Sequence, residues 1–388
     1  MCQYLEQTML ILQALDIENF CQGIYDGNSL KLEPQSLPST GGKAFAWKHT
    51  PLFKDDENYT YLFVALGDRS LSDYSSNTDF FKKSHNTLQA QRKAMSQAKI
   101  EIEDFCFFDA LPKHQLMNWL SVRHEALHNL CNGFRKPDCY DILHKGHVLT
   151  ENISKQKVSF AGQTRHIKYN IFGSATGRLT TKKDSVPILT MKKEDRSLLK
   201  PTNGAFVEID MNAAEVRTLM ALGGHDLPKG DIHQHLQNEI FPSTAMSRSS
   251  FKEKLFAWLY NPSSVNRNFD SYFSRDTFKN FFDENTSILT TPFGRRLLVP
   301  ERKAQNYLLQ STTSDLVIEN AYKIQKILEG KKTKIAFTLH DSIVLDMPRE
   351  EAKELKEIKS FFEKTRLGIF SSTCKIGKDF GNLKEIKI

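Results

Sequence analysis

The chain has 388 residues, 39% hydrophobic and 26% charged, which suffices for two or three packed units and excludes a fibrous or wholly disordered protein. Its 53 Lys and Arg against 46 Asp and Glu leave a net charge of +7, which suits a polyanionic partner without specifying one. Six cysteines (Cys2, Cys21, Cys106, Cys131, Cys139 and Cys374) form neither a CxxC pair nor a zinc spacing, so reduced thiols in a cytosolic compartment are expected, with no disulfide.

The first residues, MCQYLEQTMLILQAL, lack a basic flank and are interrupted by Gln and Glu, which argues against a signal peptide or membrane anchor. A soluble, cytoplasmic protein is expected. Tyr59 to Leu66, YTYLFVAL, has the aromatic and β-branched content of a strand. Asp16 and Glu18 in LDIENF resemble the DxE of proofreading exonucleases, but they equally suit an amphipathic surface and no partner acids follow. Ser84 to Asp104, with Ser84 as cap, and Pro112 to Asn132, ended by Asn132-Gly133, read as two antiparallel helices. Lys93, Lys99, Lys113, Arg123 and Arg135 on them either grip a phosphate backbone or form a solvated charged face. Beyond Lys136-Pro137 the helical signal stops, and short strands with polar turns are expected to about Tyr169.

The chemistry-bearing stretches come next. GSATGRLTT, Gly173 to Thr181, is a Gly-flanked loop with one cation. FVEIDMNAAEVR, Phe206 to Arg217, reads as a strand ending in Asp210 that passes into a helix carrying Glu215, so Asp210 is either a helix cap or an exposed metal ligand. In RSSFKEKLFAWLY, Arg248, Lys252, Phe256 and Tyr260 recur at steps of four, forming one slowly winding helical stripe. An amphipathic helix would bury the two aromatics; a nucleotide platform would turn the cations to a triphosphate and the aromatics to a base and sugar. TPFGRRLLVP, Thr291 to Pro300, precedes ERKAQNYLLQ, where Arg302, Asn306 and Gln310 again stand four apart as a face of hydrogen-bond donors suited to the minor groove. IAFTLHDSIVLD, Ile335 to Asp346, reads as a hairpin turning at His340-Asp341, which brings a second acid onto a second strand.

In this order and spacing, the stretches from about Arg165 to the C-terminus resemble the polymerase domain of family A DNA polymerases, the bacterial DNA polymerase I type. The resemblance implies an α+β right hand: antiparallel-sheet palm, helical fingers and helical thumb. Residues 1–83 would be an N-terminal region of uncertain role, 84–160 the thumb and its connection, 161–225 and 298–388 the palm, and 226–297 the fingers. It implies that Asp210, the Met211 carbonyl and Asp341 hold two Mg²⁺ ions, with Mn²⁺ as a substitute, and that Glu215 is a steric gate against a ribose 2′-OH. By the same match His233 of Asp231-Ile232-His233, Arg248 and Lys252 bind the triphosphate, with Lys252 also protonating pyrophosphate. Phe256 stacks by the incoming nucleotide and Tyr260 closes the site beneath Glu215. Arg178, Arg302, Asn306, Gln310 and His340 contact primer-template DNA.

Some positions depart from the pattern. Ala257 and Asn261 replace motif glycines, Ser342 stands where the family has a glutamate, and Asp379-Phe380 replaces Asn-Trp in KIGKDFGNL. Pro262 should stop the stripe helix at Tyr260. The implied activity is template-directed addition of dNTPs to a primer 3′-OH by two-metal phosphoryl transfer, with no proofreading exonuclease in this chain and an origin in a phage or mobile element. Alternatives are a single-subunit RNA polymerase, a catalytically inactive nucleic-acid-binding accessory and a two-metal nuclease. Implied partners are primer-template DNA, dNTPs and a helicase, primase or processivity factor.

Overall fold

The structure is a computed structural model. It describes residues 138–388 apart from 172, 243–245, 262–263 and 274–275, together with 75–99, four short strands nearer the N-terminus and isolated positions between 114 and 125. The chain divides into two compact units, Met1–Pro137 and Asp138–Ile388. Asp16 and Glu18 lie outside the described residues, as does most of the second expected N-terminal helix.

In the first unit, Leu30–Lys31, Ile24–Tyr25, Leu62–Ala65 and Ala44–Trp47 form a four-stranded sheet in that order. Leu62–Ala65, the described part of the strand expected at Tyr59 to Leu66, is thus an inner strand of that sheet. Helix α1, Thr78–Gln97, starts before Ser84, because the Asn77 side chain accepts a hydrogen bond from the Phe80 amide and caps the helix first.

The second unit is built on a five-stranded antiparallel sheet. Its strands are β1 (Ala205–Met211), β2 (Lys334–Leu339), β3 (Ser342–Met347), β4 (Ser372–Gly377) and β5 (Lys384–Ile386), in the order β2-β3-β1-β4-β5. Both faces of β1 and β3 are almost wholly buried, which explains why IVL is a continuous apolar run and why FVEI is apolar except for Glu208, which is paired with Lys375. Edge-on ring packing of Phe206 on Phe337 at 5.5 Å, and of Phe337 on Phe380 at 5.1 Å, joins the sheet to the C-terminal segment. The aromatic at position 380 thus retains a packing role.

One expectation fails here. Residues following Pro137 fold as helix α2, Tyr140–Lys155, rather than as short strands. Gly146 and the β-branched residues weaken its intrinsic propensity, but Ile142, Leu143, Leu149 and Ile153 are buried and tertiary packing overrides that weakness. A Cβ at Gly146 would lie 3.6 Å from Ile318, which measures how closely α2 approaches the later helix carrying Ile318. The expected strands do follow, at Val158–Phe160, Gln163–Arg165 and Tyr169–Asn170.

Helix α3 (Ala214–Leu222) follows β1 directly, and α4 (Ile232–Ile240), α5 (Arg248–Tyr260) and α6 (Arg267–Phe273) form a helical cluster. Phe251, Leu255, Trp258, Phe269 and Phe273 fill its core. The 27-residue helix α7, Glu301–Ile327, connects that cluster to the sheet, and α8 (Leu355–Glu363) covers the sheet near its C-terminal strands. Among the described residues no helix is long and apolar enough to cross a membrane. The architecture is α+β, as expected.

Candidate active site

The two acids are brought together by strand register. Asp210 is the penultimate residue of β1 and pairs across to Ser342, the first residue of β3; Asp341 immediately precedes Ser342. The Met211 amide donates to the Asp341 carbonyl at 3.1 Å, closing the ladder at the strand end where both side chains emerge. Asp210 does not cap α3: Ala213 occupies the N-cap, with no side-chain capping bond. Two left-handed residues flank the pair, Ala213 at φ 51° and His340 at φ 51°. Such backbone is costly for residues with a Cβ, and its position at both carboxylate-bearing turns fits a site held in place by the surrounding structure.

Burial raises the Asp210 carboxyl, and the charges of Asp341 and Glu208 raise it further, to about 7. Asp341 is also raised by burial, with Glu215 adding to the effect. Lys375, which acts in the opposite sense on Asp210, is hydrogen-bonded to Glu208 at 2.9 Å. Among the described residues no group of three His, Cys, Asp or Glu could hold a metal, so a candidate ion site rests on two carboxylates and a backbone carbonyl. The donor set fits hard divalent cations: oxygen ligands only, with like charges whose mutual repulsion a cation would relieve. Ser342 adds no ligand, since it is buried and its hydroxyl donates to the Leu339 carbonyl at 3.0 Å.

Opposite the acids, α5 turns two unlike faces. Ser247 caps it by accepting from the Ser250 amide, and Phe251, Leu255, Trp258 and Leu259 are buried. The stripe lies on the other side: Arg248, Lys252 and Tyr260 are exposed and Phe256 is half-buried. The amphipathic-helix reading, which buries both aromatics, therefore holds in part for Phe256, which packs against the helical core, and fails for Tyr260. Phe256 and Tyr260 stack on each other at 5.7 Å and 3°, and the Lys252 ammonium lies 5.7 Å from the Phe256 ring centre. The helix ends at Tyr260, as Pro262 requires.

Asp231, which caps α4 by accepting from the His233 and Gln234 amides, also pairs with Arg248. His233 Nδ1 is 3.6 Å from Asp231, while its Nε2 is buried and without a hydrogen-bond partner. Burial lowers the His233 pKa, and Arg248 and Lys252 lower it further against the opposing charge of Asp231.

Glu215, on the first turn of α3, is the hub between the two sides. It accepts from the Arg178 guanidinium through one carboxylate oxygen and from the Tyr260 hydroxyl through the other. Arg178, Glu215, Phe256, Tyr260, His340 and Asp341 line a cleft of about 190 Å³. Arg302 is exposed, Asn306 and Gln310 are half-buried, and the Asn306 amide donates to the Tyr260 carbonyl at 3.3 Å. That face is therefore not wholly made of free donors: one of them ties α7 to the end of α5.

No protein-family model matches the chain. A DNA polymerase of Bacillus phage SP01 is 25% identical over 288 residues, covering 58% of this chain and 31% of the phage protein. DNA polymerase I of Borreliella burgdorferi is 23% identical over 326 residues, covering 69% and 35%, and that of Chloroflexus aurantiacus is 21% identical over 275 residues, covering 57% and 29%. The chain is similar in sequence to DNA polymerases, two of them DNA polymerase I. It spans about a third of the length of these curated relatives. A solved structure, the POL domain of Pol1 from M. smegmatis in complex with DNA primer-template and dNTP, aligns at 15% identity and a TM-score of 0.47, covering 68% of this chain and 53% of that one.

The sequence did not disclose what holds the Arg178 loop. Arg295, in GRR, makes a bidentate pair with Asp315 at 2.8 to 3.0 Å, both side chains being buried. The guanidinium lies against Gly177, where an added Cβ would meet it at 2.6 Å, and Ser314 donates to the Gly177 carbonyl at 3.3 Å. The signal was an Asp inside an otherwise buried helical run, which demands a buried cation elsewhere.

Proposed function

We propose that this chain is the polymerase centre of a DNA-synthesising enzyme, which joins a dNTP to a primer 3′-OH under the direction of a template. One observation carries the reading: strand register sets Asp210 beside Asp341, and Asp341 lines one cleft with Phe256 and Tyr260, the two aromatics of the stripe that begins with Arg248 and Lys252. Residues 161–225 and 298–388 then act as palm and 226–297 as fingers. Residues 84–160 supply the thumb and its connection to the palm, with α2 in the connecting part. Proofreading forms no part of the proposal.

Two divalent ions, Mg²⁺ or in its place Mn²⁺, bound by Asp210, Asp341 and the Met211 carbonyl, would supply charge neutralisation at the attacking and leaving oxygens. The chain's own side chains bind and orient. Arg248 and Lys252 neutralise the triphosphate, and Lys252 would give a proton to the departing pyrophosphate. His233, beside Arg248 and Asp231 and with its Nε2 unpartnered, would be a further triphosphate ligand. Phe256 offers a face to the base, and Glu215, fixed by Arg178 and Tyr260, fills the space a ribose 2′-OH would need. Arg178, Arg302, Gln310 and His340 are left to contact primer-template DNA.

The test is extension of a radiolabelled primer by the purified chain with Mg²⁺ and all four dNTPs, beside Asp341→Ala. Extension by the wild type that the substitution abolishes supports the proposal, and activity that survives it sinks the site. Preference for rNTPs over dNTPs would favour an RNA polymerase instead.

A further inference from the structure

A cavity of about 740 Å³ in the second unit shares no lining residue with the cleft. Its walls come from the start of β1, the end of β3, the segment Arg349–Glu354, the first turn of α8, the end of β4 and the last residues of the chain. The floor is apolar: Val207, Met347, Leu355, Ile376 and Ile386 face into it. Every charged side chain lining it is a cation, namely Arg349, Lys353, Lys356, Lys378 and Lys387, and all five are exposed.

That charge separation is built into one short element. In REEAKE, Glu350 pairs with Lys332, Glu351 accepts from the Lys332 and Thr333 amides, and Glu354 pairs with Lys331. The acids are thus consumed on the side of the 331–333 turn, leaving Arg349 and Lys353 at the groove. Ile376, on the sheet, stays 36% exposed in the groove wall although its strand neighbours Cys374 and Val207 are buried.

We propose that this groove docks a short acidic amphipathic peptide segment of a partner protein, with apolar side chains seated on the floor and carboxylates against the cationic rim. A cavity of several hundred Å³ takes two or three large side chains, and an anionic partner meets five cations with no opposing carboxylate side chain. A nucleic-acid backbone would satisfy the rim but has nothing to place on an apolar floor. The inference does not depend on polymerase activity.

The probe is a short fluorescein-labelled peptide in which Leu and Phe alternate with Asp and Glu, titrated with the whole chain by fluorescence anisotropy. Saturable binding is expected, weakened roughly tenfold or more both by Lys353→Glu/Lys356→Glu and, separately, by Ile376→Glu. Replacing Leu and Phe of the probe by Ser should cost as much. The proposal is overturned if no saturable binding occurs, if the Ser-substituted probe binds equally well, or if the variants leave affinity unchanged. It is also overturned if they instead abolish binding of a labelled oligonucleotide. Circular dichroism of each variant excludes loss by unfolding, and unchanged primer extension would separate this groove from the catalytic cleft.

Discussion

Arg295 and Asp315, at 2% and 0% side-chain exposure, answer each other through a bidentate pair, whereas Asp210 and Asp341 share one strand end with like charge. Both clusters remove ionisable groups from water, and only one supplies its own counter-ion. The first arrangement lets a loop and a long helix share one fixed geometry. The second keeps the Asp210 carboxyl at about 7 by burial and repulsion, a cost to the fold that a bound cation would remove. Buried charge that is satisfied within the chain reads as scaffold; buried charge left to repel reads as a site awaiting a ligand.

The contrast breaks most clearly at Asp341. Asp341→Ala should lower primer extension by about 10³-fold or more, read from the initial rate of product formation. Breaking the satisfied cluster should instead destroy stability. Arg295→Ala is expected to cost about 3–5 kcal/mol in urea unfolding, while Arg295→Met with Asp315→Leu should recover most of it.

Glu319 sharpens the scaffold side. Burial pushes its carboxyl up, but hydrogen bonds from Arg366 and Lys145 outweigh this and bring it from 4.5 to about 2. A depressed folded-state pKa adds stability that is fully present above pH 4.5 and lost as pH falls through 2. Glu319→Gln should therefore cost on the order of 2 kcal/mol at pH 7 and nothing at the acid limit, measured by denaturant unfolding across that range.

At the site, the resemblance to family A polymerases implies that Phe256, standing where a Tyr would accept them, discriminates against dideoxynucleotides, so Phe256→Tyr should relax that discrimination by roughly tenfold or more, scored by chain-termination ratios. Efficient termination by the wild type would count against the alignment of the stripe. The smallest effect is a gain: Asp341→Asn, which removes one repelling charge, should raise stability by about 1 kcal/mol in metal-free buffer while activity is lost.

Much of this was legible in the sequence, for identifiable reasons. β1, the His340-Asp341 hairpin and α5 carry strong local signals: continuous apolar runs, a two-residue turn and a capped helix stopped by proline. α2 was not legible, because its helical state comes from burial against α7 rather than from propensity. Asp231 was visible only as a neighbour of His233, and its double role as cap and Arg248 partner needs the approach of α4 to α5.

By itself, the sequence determined which side chains could do chemistry and along which elements they repeat, because turn residues, periodicity and caps act over a few residues. Only the tertiary structure decided which face of α5 is buried and that Glu215 joins Arg178 to Tyr260. It also decided that Arg295 belongs to Asp315 and that the cations of REEAKE face an apolar groove. Those outcomes depend on contacts between residues distant along the chain, where packing and desolvation, rather than local preference, select the partner.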